Sequence, residues 1–397
     1  MNPTMSSNPI RNSSLPARPV LKVIGLGGGG CNAINRMIEL GMSGVEFIAA
    51  NTDHQALQNC QAPLKIQLGP HSTRGLGAGG NPSVGEAAAE ESYRELGSAL
   101  SGADMVFLTA GMGGGTGTGS IPIAARVARS LGAVTIAIVT TPFSFELGRR
   151  QQNARQGMAK LRQFTDTLIS VPNDRLLTVA PKDLPLDLAF SLADDVLRQG
   201  IQGIAEIITE TGLINVDFAH IRRLMTLGGG SLMAIGYGQG PNKARQAVDQ
   251  ALHHPLLESV SIQCAAGMIV NFTGGSNLTF FEVMDALNYL HEETGNSAEI
   301  IPGVINDENM GDRVQAILIV TGLGATPIES TLVGAEKMIP PPPPPTYEPE
   351  VSHPVDISRS APVAAQAPVD VPPIELSTST TNLDLPAFLR RRTRFAV

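Results

Sequence analysis

The sequence predicts an α/β protein: a parallel sheet covered by helices on both faces, a long central helix, and a second, smaller α+β domain. Three observations predict it. From Val20 onward, short apolar runs alternate with segments of helical period. Two glycine-rich loops each sit between such a run and a helix. Beyond residue 212 the rhythm changes to four strand-like runs with only two helices among them.

In chain order, residues 1–19 carry Ser, Asn and four prolines without periodicity and read as a disordered arm. Val20–Leu26 is an apolar run, followed by glycines and the helical pattern Ala33, Ile34, Met37, Ile38. Val45–Ala50, Asp104–Ala110, Ala133–Thr140 and Thr167–Val171 read as strands, and Glu86–Leu100 and Ile121–Leu131 as helices, completing a first domain over 20–186. The central helix, 187–211, places Leu197, Ile201, Ile204 and Ile208 on one face, with Gly212 as its C-cap. The second domain, 212–326, has strands at Ser231–Gly238, Met268–Gly274, Ile300–Ile305 and Val314–Gly322, and helices at Lys243–His253 and Phe280–Glu293. A proline-rich linker, 327–381, contains six consecutive prolines, Pro340–Pro345. Residues 382–397 regain apolar and basic character, with Leu385, Phe388 and Leu389 on one helical face. They read as a partner-docking peptide or as a solvated basic tail.

Composition narrows the function. A net charge of −8 argues against general nucleic-acid binding, which rests on Lys and Arg neutralising phosphates. No basic-then-apolar leader and no long apolar run is present, so neither a signal peptide nor membrane insertion is expected. The three cysteines, Cys31, Cys60 and Cys264, are far apart in sequence, have no zinc spacing and form no disulfide framework. A reducing cytoplasm is the expected location, and Cys31 reads as a small buried side chain.

The first loop, Gly25–Gly30, lets backbone approach a phosphate at a helix start. It also satisfies G-x-G-x-x-G, with Asp53 placed as a ribose-binding acid, so an NAD enzyme stays open at this point. The second loop, Gly111–Ser120, is nearly pure Gly and Thr and offers consecutive N–H donors and hydroxyls to a polyphosphate. One loop serves a dinucleotide, whereas a triphosphate gripped from both sides needs two. No G-x-x-x-x-G-K-[ST] occurs, which excludes an ordinary P-loop protein. A third glycine-rich stretch, Thr73–Pro82, reads as a phosphate-sensing switch or as a surface loop.

Gly111–Ser120 resembles the signature loop of the tubulin/FtsZ family. Gly27–Met37, Asn51–Asp53, Thr73–Pro82, Pro172–Arg175 and Gly212–Asn215 resemble further family motifs in the same order, over about residues 20–323, and Leu383–Arg392 resembles the family's terminal peptide. The resemblance implies a Rossmann-like GTP-binding domain and a cytoplasmic filament former of the bacterial division ring. It implies GTP or GDP, with Mg2+, held by Gly27, Gly28, Gly29, Asn32, Asn51, Ala78, Gly79, Gly80, Gly111, Gly113, Gly114, Gly115, Thr116, Gly117, Thr118 and Gly119, with Thr116 near the γ-phosphate and the ion. Glu146 and Arg150 would contact ribose, Asn173 and Asp194 would hydrogen-bond guanine, and Phe190 would stack on it. No protein metal site is expected. It further implies a composite catalytic site, with Asn215, Asp217 and His220 supplied by the next subunit, and a membrane-tethering or regulatory partner on Leu383–Arg392. His220 stands where the family has a second Asp, so weakened hydrolysis is expected. Leu147 replaces a family glycine and Thr141 a common basic residue.

Overall fold

The computed structural model of the protein describes residues 18–146, 148–177, 185–210, 216–255, 257, 262–295 and 298–323. The linker, the terminal peptide and all but two residues of the expected N-terminal arm lie outside them. The described chain runs β1 (Leu21–Leu26), α1 (Gly27–Glu39), β2 (Glu46–Asn51), α2 (His54–Asn59), β3 (Leu64–Gln67), α3 (Pro82–Glu91), α4 (Tyr93–Leu100), β4 (Met105–Gly111), α5 (Thr116–Ser130), β5 (Val134–Thr141) and α6 (Arg149–Leu161). It continues through β6 (Thr167–Pro172), α7 (Asn173–Leu177), α8 (Leu186–Thr209), α9 (Phe218–Met225), β7 (Gly230–Gln239), α10 (Lys243–Leu252), β8 (Gly267–Gly274), α11 (Phe280–Glu293), β9 (Glu299–Asn306) and β10 (Arg313–Leu323).

The first six strands pair in parallel in the order β3-β2-β1-β4-β5-β6. Every residue of β1 is buried, as expected for a strand covered on both faces. The order reverses between β1 and β4, which opens a crevice at the strand ends, where α/β proteins bind ligands. A single pairing, Ile169 with Ser231, joins β6 to β7 and so to a second sheet, β7-β10-β8-β9. There β10 is antiparallel to both neighbours while β8 and β9 are parallel.

The 24-residue α8, about 36 Å long, ties the sheets together. Its Gly200 abuts Met233 of β7 and Ile138 of β5, and its Gly203 abuts Ile317 of β10. Leu197, Ile201 and Ile204 are buried with residues of both sheets in one apolar cluster. On the far face of the first sheet, α3, α4, α5 and α6 bury a second cluster, and α10 and α11 cover the outer face of the second sheet.

The structure corrects three boundaries. The helix read as Glu86–Leu100 is two helices, because Ser92 turns its hydroxyl away to accept from Gly69 N (3.1 Å) and Glu91 grips His71 N and Ser72 N at 2.8 and 3.0 Å. The helix read from Ile121 begins at Thr116, so half of the second glycine loop is helical despite poor propensity. Close packing explains why: a β-carbon on Gly119 would lie 2.0 Å from Pro82 O. Gly119→Ala is therefore expected to cost at least about 1–3 kcal/mol in urea unfolding, as overpacking against backbone does. Finally, α8 ends at Thr209 with Glu210 as its extended cap, and Gly212 lies outside the described residues.

Cys31 is buried, as the sequence reading has it. Cys60 after α2, distant in sequence, comes beside it, its thiol donating to Cys31 O at 3.8 Å.

Candidate functional site

At the switch point, α1 and α5 both start without a side-chain cap; their N-cap residues are Leu26 and Gly115. By contrast Asp53 caps α2 and Asn81 caps α3. The uncapped N–H groups of α1 and α5 are left for another acceptor, and the aligned peptide dipoles favour an anion there. They border a cleft of about 400 Å³ lined by Gly28, Gly29, Asn32, Gly111 and Gly114–Gly117.

The glycines have separate physical reasons. Gly27 (φ +70°) and Gly113 (φ +105°) adopt the left-handed region. Gly115, Gly117 and Gly119 allow backbones to pass closely. Gly28 and Gly114 show neither reason: their φ is not positive, and a β-carbon on either would meet nothing within 4 Å. They keep a cradle open.

Side chains fix the loops around this cradle. Asn153 of α6 donates to Gly113 O at 3.2 Å and Gly80 O at 3.3 Å, and Gly113 N donates to Thr118 Oγ1 at 2.8 Å. Thr52 and Thr116 hydroxyls meet at 2.5 Å. Residues 78–81 press against Gly115, whose β-carbon would lie 2.8 Å from Asn81 N.

The far end of the cleft has a different chemistry. Asn173 is buried and its Oδ1 has no partner, an acceptor that a bound donor would satisfy. Burial pushes the Asp194 carboxyl up to about 7, against the opposing pull of the Arg36 guanidinium. Phe190 is 41% exposed and meets Phe143 edge-on at 5.4 Å, leaving ring surface free to stack. Glu146 accepts from Phe143 N at 2.9 Å and pairs with Arg150.

Gly27, Asn51, Ala78, Gly79, Gly80, Gly113, Thr118 and Gly119 do not line the cleft; several of them build its walls. Asn51 bonds within the protein, accepting from Asp53 N at 3.2 Å. The lining also includes Thr140, Pro142 and Ala193, which sequence reading missed, although Thr140 ends an apolar strand at the switch-point edge. Asn153 was missed too, since it belongs to no motif, and Thr52, inside the Asn51–Asp53 motif, was given no role of its own.

Asn215 lies outside the described residues. Asp217 and His220 are far from the cleft: Asp217 caps α9, accepting from Ala219 N at 3.1 Å, and His220 is exposed in its first turn. Arg222 of α9 donates to Gly132 O at 3.1 Å, and Met225 O accepts from Thr167 at 2.6 Å. Gly132 and Thr167 lie at the starts of β5 and β6, whereas the cleft is at their ends, roughly 25 Å away along eight residues of β5.

A separate cleft of about 470 Å³ lies along α8, but polar groups there pair with one another, as in Gln315 with Gln199 (2.6 Å) and Arg198 with Asp195 (2.8 Å).

This fold and site define an α/β protein with uncapped helix starts at one end of its switch-point cleft and a buried, unpartnered Asn173 beside the raised Asp194 carboxyl at the other. Residues 20–181 match the GTPase domain of the tubulin/FtsZ family, and residues 229–324 match the C-terminal domain of the FtsZ family. An empty FtsZ dimer from M. jannaschii is 42% identical, covering 77% of this chain and 89% of that one, with a TM-score of 0.73. A point mutant of FtsZ from M. jannaschii gives 42% identity, 77% and 92% coverage, and a TM-score of 0.75. A GTPγS-bound protofilament of CetZ2 from Haloferax volcanii shares the fold at 19% identity, 79% and 96% coverage, and a TM-score of 0.65. The chain belongs to the tubulin/FtsZ family. It is thus a GTP-binding, tubulin-like protein of a GTPase family, which closes the dinucleotide alternative left by the first glycine loop.

Proposed function

We propose that the chain binds GTP in this cleft and polymerises head to tail into protofilaments of the bacterial division ring, hydrolysing GTP slowly at each subunit junction. The carrying observation is the separation of parts. The cleft lies at the strand ends, and Asp217 on α9 lies at the strand starts of the same sheet, so stacking a second copy along the strand axis would bring them together.

Within the cleft, the N–H groups of α1 and α5 would take the phosphates, Thr116 the γ-phosphate, and Glu146 and Arg150 the ribose. Asn173 would accept from the guanine, Asp194 would accept from its ring N–H and exocyclic amine, and Phe190 would stack on it. No cluster of three or more His, Cys, Asp or Glu ligands occurs among the described residues, so Mg2+ would be held chiefly by phosphate and water, as it commonly is with nucleotides. The ion would neutralise phosphate charge. Asn215 and Asp217 of the next subunit would orient the attacking water. His220 replaces a fixed negative charge with a group that is neutral or positive near pH 7, which supports slow hydrolysis or, in a second reading, a GTP-bound scaffold with no useful turnover.

The terminal peptide Leu383–Arg392 would dock a membrane-tethered or regulatory partner at mid-cell. A linker of about fifty residues would reach roughly 40 Å on average. No described helix is long and apolar enough to cross a membrane.

Phosphate release measured against protein concentration tests the composite site, for the full chain and for residues 1–382 side by side. Both are expected to show a threshold concentration, and only the full chain to place rings in cells. Release strictly linear from zero concentration would refute assembly-linked hydrolysis.

A further inference from the structure

We propose that Cys31 and Cys60 form a reversible dithiol–disulfide pair that couples the glycine-loop helix α1 to residues 73–82 beside the cleft. The two cysteines lie on different elements, each only 3% exposed, and the Cys60 thiol donates to Cys31 O at 3.8 Å, which brings its sulfur to the residue that carries the other. No step of the nucleotide chemistry uses either sulfur.

Their surroundings are unequal. The neighbouring Cys31, the backbone at Ala62 and the Lys65 charge hold the Cys60 thiol below its ordinary value. Cys31 is raised, first by the neighbouring Cys60 and then by burial. Cys60, at the end of a short helix, is the better placed of the two to meet an oxidant first, with Cys31 inside α1 to resolve it. Access requires little motion. Cys60 closes a helix of six residues, and its N–H reaches Leu57 O at 3.3 Å, so fraying of this short end admits a small oxidant.

With a peroxide as oxidant, the Cys60 thiolate attacks one peroxide oxygen and the O–O bond breaks. Cys60 becomes a sulfenic acid, and the departing hydroxide takes a proton to leave as water. The Cys31 sulfur then attacks the Cys60 sulfur; the S–S bond forms, the S–O bond breaks, and the Cys31 proton leaves with the hydroxyl as a second water. Two thiols are oxidised and the peroxide is reduced. A thiol reductant restores the pair by exchange.

The coupling runs through named bonds. Asn51 Nδ2 lies 3.8 Å from Cys31 Sγ, and Asn51 Oδ1 accepts from Asp53 N at 3.2 Å. Asp53 caps α2 through Gln55 N and Ala56 N, and its backbone bridges to Leu76. Thr52 O accepts from Gly77 N at 3.2 Å, and Thr52 Oγ1 meets Thr116. Drawing the two sulfurs together to a bond of about 2.05 Å pulls Cys31 off Asn51. The displacement then falls on residues 51–53, and through them on the loop 73–82.

The test uses the full chain carrying Cys264→Ser, treated with hydrogen peroxide and digested without reduction. A linked Cys31–Cys60 peptide is expected, lighter by about 2 Da than the two reduced peptides together and reversed by dithiothreitol. Amide hydrogen exchange within 73–82 is expected to change at least about fivefold between the two states, the low end of coupling between linked sites. Cys60→Ser should abolish both responses. Absence of the linked peptide, or sulfinic acid at Cys60 in its place, overturns the pair. A linked peptide with unchanged exchange overturns the coupling. Neither readout involves nucleotide, so failure of the GTP assignment would be seen separately.

Discussion

Asp194→Asn is expected to weaken GTP binding by about 10²–10⁴-fold, from the loss of two charge-assisted hydrogen bonds of about 1.5–3 kcal/mol each. An ionised carboxylate accepts from two guanine donors at once. An Asn presents one acceptor and two donors, so one guanine N–H faces another N–H. The loss should be specific to the base: competition against bound GTP should show the preference over ATP collapsing, and inosine triphosphate, which lacks the exocyclic amine, should bind the wild type more weakly than GTP but the variant about equally. The same carboxyl predicts a pH dependence. Burial sets it near 7 in the free protein, and the proposed guanine contact needs the ionised form. Affinity is therefore full above pH 7 and falls as pH drops below it, by up to about tenfold per pH unit, while Asp194→Asn should show a flat profile over that range. Calorimetric titration from pH 5.5 to 8.5 reads both. A steep profile in the variant would assign the titration to another group.

The parts of this site that the sequence discloses are those whose chemistry is local. Two glycine loops between strand and helix are visible as composition, and their position at the ends of β1 and β4 follows from the α/β alternation. Which glycine serves which purpose is not visible, because Gly28 and Gly119 differ only in what other segments bring near them: open space for one, Pro82 O for the other. The same limit explains the helix boundaries. The start of α5 is decided by α3 packing against it, and the break at Ser92 by a loop that Ser92 and Glu91 hold. Asn153 ties two loops from a helix with no motif of its own, and Thr52 meets Thr116 across 64 residues. Side chains whose partners are remote in sequence carry no periodic signal. Asp194 illustrates the converse: by pattern alone it reads as a solvated helix charge and only the family resemblance singles it out, whereas the structure shows it buried with its carboxyl raised.

His220→Asp is expected to raise phosphate release from assembled polymer by about tenfold or more, and Asp217→Asn to lower it by about 10²-fold, with GTP affinity unchanged in both. The argument is electrostatic. A water that attacks a phosphoryl group must be oriented and relieved of a proton, and a positioned acid or base contributes typically about 10²–10⁴-fold to such a step. Asp217 is the carboxylate that α9 projects from its N-cap, at the strand starts, while every nucleotide contact proposed here is at the strand ends. Substitution at either position therefore cannot disturb the cleft of its own subunit, which is why affinity should stay constant while turnover moves. Exposure of His220 in the first turn of α9 lets a shorter acidic side chain replace it without repacking a core, and an acid near a helix N-terminus is favoured by the helix dipole. If His220→Asp leaves turnover unchanged while Asp217→Asn abolishes it, His220 is only a neighbour and Asp217 carries the chemistry alone. If neither changes turnover, hydrolysis takes place within one subunit, and the head-to-tail reading of the site fails with it.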